Sequence, residues 1–149
     1  NLYVDSDDYI VMIVGGPNAR KDYHYNETEE LFHQLEGEIT VFIQEDGEKK
    51  AMKLGPGDMY LHPAKVPHSP ARTEGSVGLV IERKRAGKGF NDGLLWFCDN
   101  CNHKLHEVYF ELHDIEKDFL PHFRHFYSSK KLRTCAKCGT EMEVDPKFV

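Results

Sequence analysis

The sequence predicts a domain built mainly of β-strands that carries a small metal-binding extension at its C-terminal end. Two observations lead to this prediction. Short apolar runs alternate with turn signals roughly every 8–12 residues along the first part of the chain, as in β-sandwiches and barrels. The last third instead places aromatic residues at helical spacing between two Cys-x-x-Cys motifs. We therefore expect a β-domain over residues 1–93 and an extension over residues 94–149.

The composition is that of a globular protein with a true core. Of the 149 residues, 40% are hydrophobic and 30% are charged. The net charge of −6 does not favour nucleic acid or an anionic membrane as a partner. No apolar run approaches the roughly 18 residues that a membrane span needs. The polar, acidic segment 1–8 does not resemble a signal peptide, and since the chain does not begin with Met we expect that its natural N-terminus is missing.

The predicted strands follow from apolar runs and from the turns between them. The run at 9–14 is typical of a buried strand, because Gly15-Gly16-Pro17-Asn18 follows it directly. Asp46-Gly47 predicts a hairpin between two strands. The other predicted strands lie at 38–44, 49–54, 59–61 and 77–83.

The extension is expected to contain one strand and one short helix. The stretch 84–89 is rich in Gly, Lys and Arg and is interpreted as a mobile connection, and a strand is expected near 107–112. Asp118 is the predicted N-cap of the helix, which places Pro121 in the first turn, where proline is tolerated. The aromatic residues at helical spacing are Phe119, Phe123, Phe126 and Tyr127.

The four cysteines form two Cys-x-x-Cys pairs, Cys98 with Cys101 and Cys135 with Cys138. A disulfide framework would accompany secretion, whereas four thiolates around one ion are typical of a tetrahedral metal site. We expect the metal site. Because thiols persist in a reducing compartment, this expectation also indicates the cytoplasm.

Two further motifs contain candidate metal ligands. His24 and Glu30 precede Gly37, with six residues between the Glu and the Gly, while Gly57 and Pro63 precede His68. These spacings resemble the two motifs of the cupin family, which implies a double-stranded β-helix barrel. Two His and one carboxylate form a facial triad, and this ligand set suits iron(II) because three positions remain open for substrate and oxygen.

Each of these ligands has a simpler interpretation. An isolated His in a β-barrel is usually a hydrogen-bonded surface or core residue, so the metal site is predicted from the combined spacing. Glu29 competes with Glu30, but strand alternation places Glu30 on the face of Phe32. Asp22 stands where typical cupins have another His. It could be a fourth ligand, although a site of three is the simpler interpretation.

Three charged residues indicate the class of substrate. Arg20 lies four residues before His24, Arg72 lies four residues after His68, and Glu82 ends an apolar run. Any one of them alone is more often a solvated charge. Two guanidinium groups beside a metal would suit a carboxylate, and a nearby Glu could accept a hydrogen bond from an amino or hydroxyl group. The set fits an aromatic amino acid with an ortho hydroxyl group.

A closer resemblance is carried by five strings of residues. They are Gly15-Gly16-Pro17-Asn18, Asp22-Tyr23-His24, His68-Ser69-Pro70, Val80-Ile81-Glu82-Arg83 and Trp96-Phe97-Cys98. These strings resemble those of the 3-hydroxyanthranilate 3,4-dioxygenase family, and the resemblance runs from about Val11 to Cys138. The four-Cys tail is similar to that of the single-domain microbial form, which holds a rubredoxin-like second iron.

The resemblance implies a ring-opening reaction. 3-Hydroxyanthranilate and O2 would give 2-amino-3-carboxymuconate semialdehyde, which closes without enzyme to quinolinate, a precursor of NAD in the kynurenine pathway of tryptophan catabolism. The resemblance also implies a homodimer and a second Fe or Zn at the four cysteines. The implied iron ligands are His24, Glu30 and His68, the implied catalytic and substrate contacts are Arg20, Arg72 and Glu82, and the implied pocket residues are Phe32 and Pro70.

Other functions compete with this one. A different cupin enzyme, such as a thiol or phenol dioxygenase or a metal-dependent isomerase, would share the triad and differ in substrate. A non-catalytic cupin that binds a regulatory ligand would be indicated by loss of a triad residue, and all three are present. A zinc ribbon that binds nucleic acid would need a basic, aromatic face. The basic segment 128–133 is short and the chain is acidic.

Overall fold

The computed structural model describes residues 2–3 and 5–149 and shows ten strands followed by two helices. The expected β-dominated fold with a C-terminal helical extension is confirmed. The strands are β1 (Tyr9–Gly15), β2 (Tyr23–Asn26), β3 (Glu30–Glu36), β4 (Ile39–Glu45), β5 (Glu48–Leu54), β6 (Met59–His62), β7 (His68–Arg72), β8 (Val77–Arg83), β9 (Asn91–Phe97) and β10 (Lys104–Glu111).

The strands form two antiparallel sheets. One has four strands in the order β1-β8-β3-β6, and the other has six in the order β10-β9-β2-β7-β4-β5. Apolar side chains from both sheets meet in one buried core, for example Phe32 and Val80 from the first sheet with Val41 from the second. Burial of these side chains is the main force that holds the two sheets face to face. The predicted metal ligands lie beside this core, where the His68 ring meets Phe32.

The hairpin predicted at Asp46-Gly47 is confirmed. It joins β4 to β5, and both turn residues have positive φ, 54° for Asp46 and 77° for Gly47. Asp followed by Gly is favoured in such tight turns because both residues tolerate the left-handed backbone region.

The first predicted strand is present, but the prediction that it is buried is wrong. β1 pairs only with β8 within the described part of the sheet and lies at its edge. Alternate side chains therefore face solvent, and Tyr9 is 51% exposed and Ile13 47% exposed. An apolar run of this length does not distinguish a buried strand from an edge strand with an apolar outer face.

The extension packs as a second core around Trp96 of β9. Helix α1 (Ile115–Ser128) buries the four predicted aromatic residues, and the Phe126 ring stacks on Trp96 with centroids 4.3 Å apart. A short helix α2 (Lys130–Arg133) and a 3-10 turn (Pro146–Phe148) follow. The helical spacing of the aromatic residues thus predicted the correct buried face.

The start of α1 differs from its prediction. The N-cap is Asp114, whose carboxylate accepts from the backbone N–H groups of Glu116 and Lys117. Asp118, the predicted N-cap, lies inside the helix and accepts from the backbone N–H groups of His113 and Asp114. The helix therefore begins about one turn earlier than predicted. Pro121 therefore lies inside the helix and beyond its first turn. Burial of the aromatic face offsets the lost backbone hydrogen bond.

The connection at 84–89 is anchored to the rest of the protein. Arg85 is only 1% exposed and forms ion pairs inside the protein, so the expected mobile connection is anchored at its second residue. The division at residue 93 stays a prediction, and β9 and β10 extend the six-stranded sheet.

Within residues 2–3 and 5–149, no helix has the length and apolar character needed to cross a membrane.

Candidate metal centres

The two predicted His ligands and the predicted Glu come together between the two sheets. His24 of β2 lies directly opposite His68 of β7 in the six-stranded sheet, so both side chains project from one face. Glu30, the first residue of β3, reaches the same place from the four-stranded sheet. One ligand atom from each of the three lies within 4.8 Å of the others.

The motif glycines form the turns that hold these strands in place. Gly37 ends β3 with φ at +65°, and a Cβ there would stand 3.0 Å from Ser76 Cα. Gly57 has φ at +88° in the turn that leads into β6. Glycine adopts this backbone region without steric cost, so the motif spacing has a physical basis in the turns.

The three side chains are held by charge as well as by position. His68 Nε2 lies 2.9 Å from Glu30 Oε2, and both residues are buried. Burial alone would raise the pKa of Glu30, but the charge and hydrogen bond of His68 lower the pKa to about 2. Burial would likewise lower the pKa of His68, and Glu30 raises it above its ordinary value. A metal ion bound here would compete with a proton for the His68 imidazole.

Neighbouring polar residues remain outside this group of three. Asp22 is buried and pairs with Arg20 across 3.2 Å, and Glu29 is exposed. His62 is also buried, with its ring centroid 4.4 Å from that of His68. Both of its ring nitrogens have partners, Nε2 with Val66 O and Nδ1 with the Tyr60 hydroxyl. His62 is therefore a hydrogen-bonded core histidine.

The two predicted arginines occupy different environments. Arg72, at the end of β7, is 6% exposed, and its Nη1 has no hydrogen-bond partner among the described residues. Burial lowers the pKa of Arg72, and the charge of Glu30 opposes this effect. Arg20 has 39% of its side chain exposed, is paired with Asp22, and lies over the Phe123 ring at 5.4 Å. Arg72 is thus an unpaired buried donor, whereas Arg20 lies at the contact between barrel and extension.

Glu82 and the predicted pocket residues surround the same region. Glu82 of β8 lies opposite Glu30 in the register of β3 and β8 and is 5% exposed. Burial and the neighbouring charge of Glu30 raise the pKa of Glu82. Phe32 is buried and meets the His68 ring edge-on, with centroids 5.9 Å apart. Pro70 lies on β7 opposite Val41 and accepts from the Asn18 side chain.

A family model described as 3-hydroxyanthranilic acid dioxygenase matches residues 1–127. The chain belongs to this family. The match includes His24, Glu30 and His68 and ends before the second cysteine pair.

Two curated relatives and one solved structure are similar to this chain. A protein named 3-hydroxyanthranilate 3,4-dioxygenase from Xanthomonas campestris pv. campestris is 54% identical over 139 residues, which are 93% of this chain and 78% of that protein. One of the same name from Bacillus thuringiensis is 44% identical and covers 93% of this chain and 76% of that protein. A cupin-2 domain-containing protein from Shewanella frigidimarina is similar over 52% of this chain and 72% of that chain, with 24% identity and a TM-score of 0.41.

The four cysteines form a second group of candidate ligands. Cys98 and Cys101 follow β9, while Cys135 and Cys138 follow α2, and their four sulfur atoms all lie within 4.8 Å of one another. Cys98 Sγ is 3.6 Å from Cys138 Sγ, too far for a disulfide bond. Backbone N–H groups close each turn, as when Gly139 donates to Cys135 O. The arrangement fits one tetrahedral ion.

Sequence reasoning missed two charged residues beside the barrel site. Asp92 on β9 is fully buried, and its Oδ2 lies 2.6 Å from His24 Nε2. Arg85 donates to both oxygens of Asp92 and pairs with Glu82. Arg85 lay in a stretch interpreted as a mobile connection, and Asp92 stood in a segment with no recognised motif. A lone Asp or Arg in such a segment is usually solvated, so the sequence contained no signal for this pair.

Proposed function

We propose that this protein is an iron(II)-dependent dioxygenase that opens the aromatic ring of 3-hydroxyanthranilate between C3 and C4. The product would be 2-amino-3-carboxymuconate semialdehyde, which closes without enzyme to quinolinate. The observation that carries this proposal is the group of His24, Glu30 and His68 in a chain of the 3-hydroxyanthranilic acid dioxygenase family. A relative that aligns with 93% of the chain is named 3-hydroxyanthranilate 3,4-dioxygenase.

The donor set suits iron(II). Two imidazoles and one carboxylate would hold the ion through three ligands and leave further positions open for substrate and oxygen. Iron(II), when bound, supplies the electronic path between the aromatic substrate and O2. The protein supplies the position of the substrate, the exclusion of water and the proton transfers.

Arg72 is proposed to bind the substrate carboxylate. Its buried Nη1 has no hydrogen-bond partner within residues 2–3 and 5–149, and a buried donor of this kind is costly unless a ligand completes its hydrogen bonds. Arg20 is proposed to contact the same carboxylate from the barrel rim, where Asp22 limits its movement. Phe32 and Pro70 are proposed to line the pocket and hold the ring flat beside the metal ligands.

Glu82 is proposed to hold the proton that the substrate hydroxyl gives up, or to accept from the amino group. Its pKa is raised by burial and by Glu30, so it binds a proton more readily than an exposed carboxyl group. Arg85, at 3.2 Å, limits this shift and keeps the carboxylate in place.

We also propose that one Fe or Zn ion is held by Cys98, Cys101, Cys135 and Cys138. Four thiolates complete a tetrahedral shell and leave no position for substrate, so the role assigned to this ion is structural. Free thiols in such a cluster favour a reducing compartment, and we propose the cytoplasm as the site of action.

A homodimer is proposed from the outer face of the four-stranded sheet. Tyr9 and Ile13 of β1 and Met59 and Leu61 of β6 each expose 47% or more of their surface there. The strand register places Val11, Ile81, Leu31 and Leu61 in one row across this face. An apolar patch of this width is typical of an interface. Light scattering at two concentrations checks this, and a monomer at both would contradict it.

The proposed reaction is tested by oxygen uptake. Protein is loaded anaerobically with iron(II), and 3-hydroxyanthranilate is added. We expect uptake of one O2 per substrate and a ring-opened product that converts to quinolinate. If iron occupies the barrel site and no oxygen is consumed, the proposed substrate is wrong, and other phenols and thiols become the candidates.

A further inference from the structure

Two buried polar atoms of opposite character lie beside Gly78, the second residue of β8. A Cβ on Gly78 would stand 2.9 Å from Arg72 Nη1, a donor, and 2.9 Å from Gln34 Oε1, an acceptor. Within residues 2–3 and 5–149, neither atom has a hydrogen-bond partner. Burial of a donor and an acceptor without partners is costly, so the pair calls for a physical explanation.

The strand register places these atoms next to the proposed substrate pocket. Side chains at alternate positions of a strand share one face, so Glu30, Phe32 and Gln34 of β3 project to the same side. Gln34 lies opposite Gly78 in the pairing of β3 with β8. Arg72 reaches the same level from β7, since its Nη1 also meets Gly78. The two polar groups therefore lie on the side of Phe32 away from the metal ligand Glu30.

The side-chain amide of Gln34 is held with its oxygen toward this space. Gln34 Nε2 donates to the backbone oxygen of Glu36 at 2.7 Å. A backbone carbonyl can only accept, so this hydrogen bond determines which end of the amide is the nitrogen. The end beside Gly78 is thus the amide oxygen. It can accept from the guanidinium of Arg72, which can only donate.

The uncharged side chain of Gln34 distinguishes Arg72 from the other buried arginines of the described chain. Arg85 and Arg133 are also buried, and each forms ion pairs with carboxylates. The buried Nη1 of Arg72 has no such partner and lies beside an amide instead. A neutral acceptor can orient a guanidinium without cancelling its charge. The charge of Arg72 thus remains available for an anionic ligand.

We propose that Gln34 and Gly78 are positioning residues for Arg72. Gly78 leaves the space that the guanidinium needs, and Gln34 Oε1 accepts from Nη1 while the remaining nitrogen atoms bind a carboxylate. Together they make the pocket selective for ligands that carry a carboxylate. Both roles rest on the proposed function, in which Arg72 binds the carboxylate of the substrate.

Ligand affinity tests these roles separately from turnover. The full chain is loaded with zinc, which has no redox chemistry, so that ligands bind without reaction. Dissociation constants are measured by calorimetry under nitrogen for 3-hydroxyanthranilate and for 2-aminophenol, which has no carboxylate. The ratio of the two constants is the carboxylate preference. It should be at least about tenfold in the parent and lost in Arg72→Ala. A parent without this preference would overturn the proposal.

Gln34→Glu should remove most of the carboxylate preference. A carboxylate beside Arg72 would form an ion pair with the guanidinium and compete with the ligand. The dissociation constant for 3-hydroxyanthranilate should rise about tenfold, while that for 2-aminophenol should stay unchanged. Gly78→Ala should act in the same direction, because its Cβ would displace both polar atoms. In an Arg72→Ala background neither substitution should have a further effect, since both act through Arg72.

Two matched variants control for the substitutions themselves. Gly15→Ala changes a glycine of the adjacent strand whose Cβ would meet its nearest neighbour at 3.7 Å, and Gln44→Glu changes a buried glutamine that pairs with Asn102. Both should keep the carboxylate preference. If Gln34→Glu and Gly78→Ala also keep it, or weaken binding of both ligands equally, the positioning roles are wrong. If the preference changes as expected but the iron-loaded protein consumes no oxygen, the positioning roles stand and the proposed reaction fails.

Discussion

The two candidate metal centres differ in how each site is formed. The barrel site combines two imidazoles, of His24 and His68, with the carboxylate of Glu30, so that both sheets contribute to it. The cysteine site combines four identical donors from two turns outside the barrel. Three donors leave room for a reaction, whereas four thiolates complete the shell and leave none.

This difference predicts how each centre responds to damage. The barrel centre sits on strands whose pairing and apolar core do not require a metal, so its loss should remove activity more than stability. The cysteine centre ties together the turn after β9 and the turn after α2, which lie far apart in the sequence, so its loss should reduce stability more than activity. The predictions below test this contrast.

The largest effect is expected from His68→Ala. Since loss of a residue behind a metal ligand typically costs 10–100-fold, loss of the ligand itself should lower turnover by at least about 10³-fold. Iron analysis should find the barrel site empty. His62→Gln is the matched control, because His62 is as buried as His68 and is not a ligand. Full iron content in His68→Ala would refute the ligand assignment.

A smaller effect, on stability, is expected from Cys135→Ser. Loss of the second ion should lower the free energy of unfolding by about 3 kcal/mol, or the melting temperature by roughly 6–12 °C in a chain of this size. Iron in the barrel should be retained. The control is the parent protein after removal of its cysteine-bound metal. Its melting temperature should equal that of the variant. If Cys135→Ser instead has the melting temperature of the metal-loaded parent, the ion does not stabilise the extension.

The sequence predicted these two centres because each depends on local spacing. The cysteine pairs and the intervals from Glu30 to Gly37 and from Gly57 to His68 are set by turns, and turns are encoded within a few residues. The aromatic face of α1 was predicted for the same reason, since helical periodicity is local.

One of the contacts that were missed joins residues distant in the sequence. Asp92 reaches His24, 68 residues away, only because β9 pairs with β2. Arg85 lies close in sequence to both of its partners, three residues from Glu82 and seven from Asp92, but its burial depends on the folded barrel. The exposure of β1 depends in the same way on its place at the sheet edge. The N-cap of α1 was misplaced because Asp114 and Asp118 are both capping residues, and the choice between them depends on burial of the aromatic face.

A third prediction concerns the substrate side of the barrel. Arg72→Ala should lower kcat/KM for 3-hydroxyanthranilate about 10–150-fold, since a hydrogen bond to a charged group contributes roughly 1.5–3 kcal/mol. The kcat/KM of Arg72→Lys should lie between those of the parent and Arg72→Ala, because lysine keeps the positive charge and loses the planar guanidinium. Arg124→Ala, at an exposed position, controls for the change in net charge.

The analogue 2-aminophenol, which lacks the carboxylate, sharpens this prediction. If Arg72 binds the carboxylate, the parent and Arg72→Ala should turn over 2-aminophenol equally poorly. A further loss of activity toward 2-aminophenol in the variant would show that Arg72 acts elsewhere in the site.

The smallest effect is expected at the exposed cysteine of the second centre. In the metal-free protein Cys138 Sγ lies 3.3 Å from the Thr140 hydroxyl oxygen, and hydrogen bonding by the side chain and backbone of Thr140 lowers the pKa of Cys138 to about 5. Because the thiolate is the nucleophile, alkylation of Cys138 should increase as pH rises through about 5 and stay high at neutral pH. An ordinary thiol becomes reactive only when the pH approaches or exceeds its pKa of about 8.5. Thr140→Ala should move the midpoint toward that value, and a bound metal should suppress the reaction. If Cys138 in the parent reacts only above neutral pH, the two turns do not preorganise a thiolate, and the cysteine centre would depend on its metal even for the ionisation of its ligands.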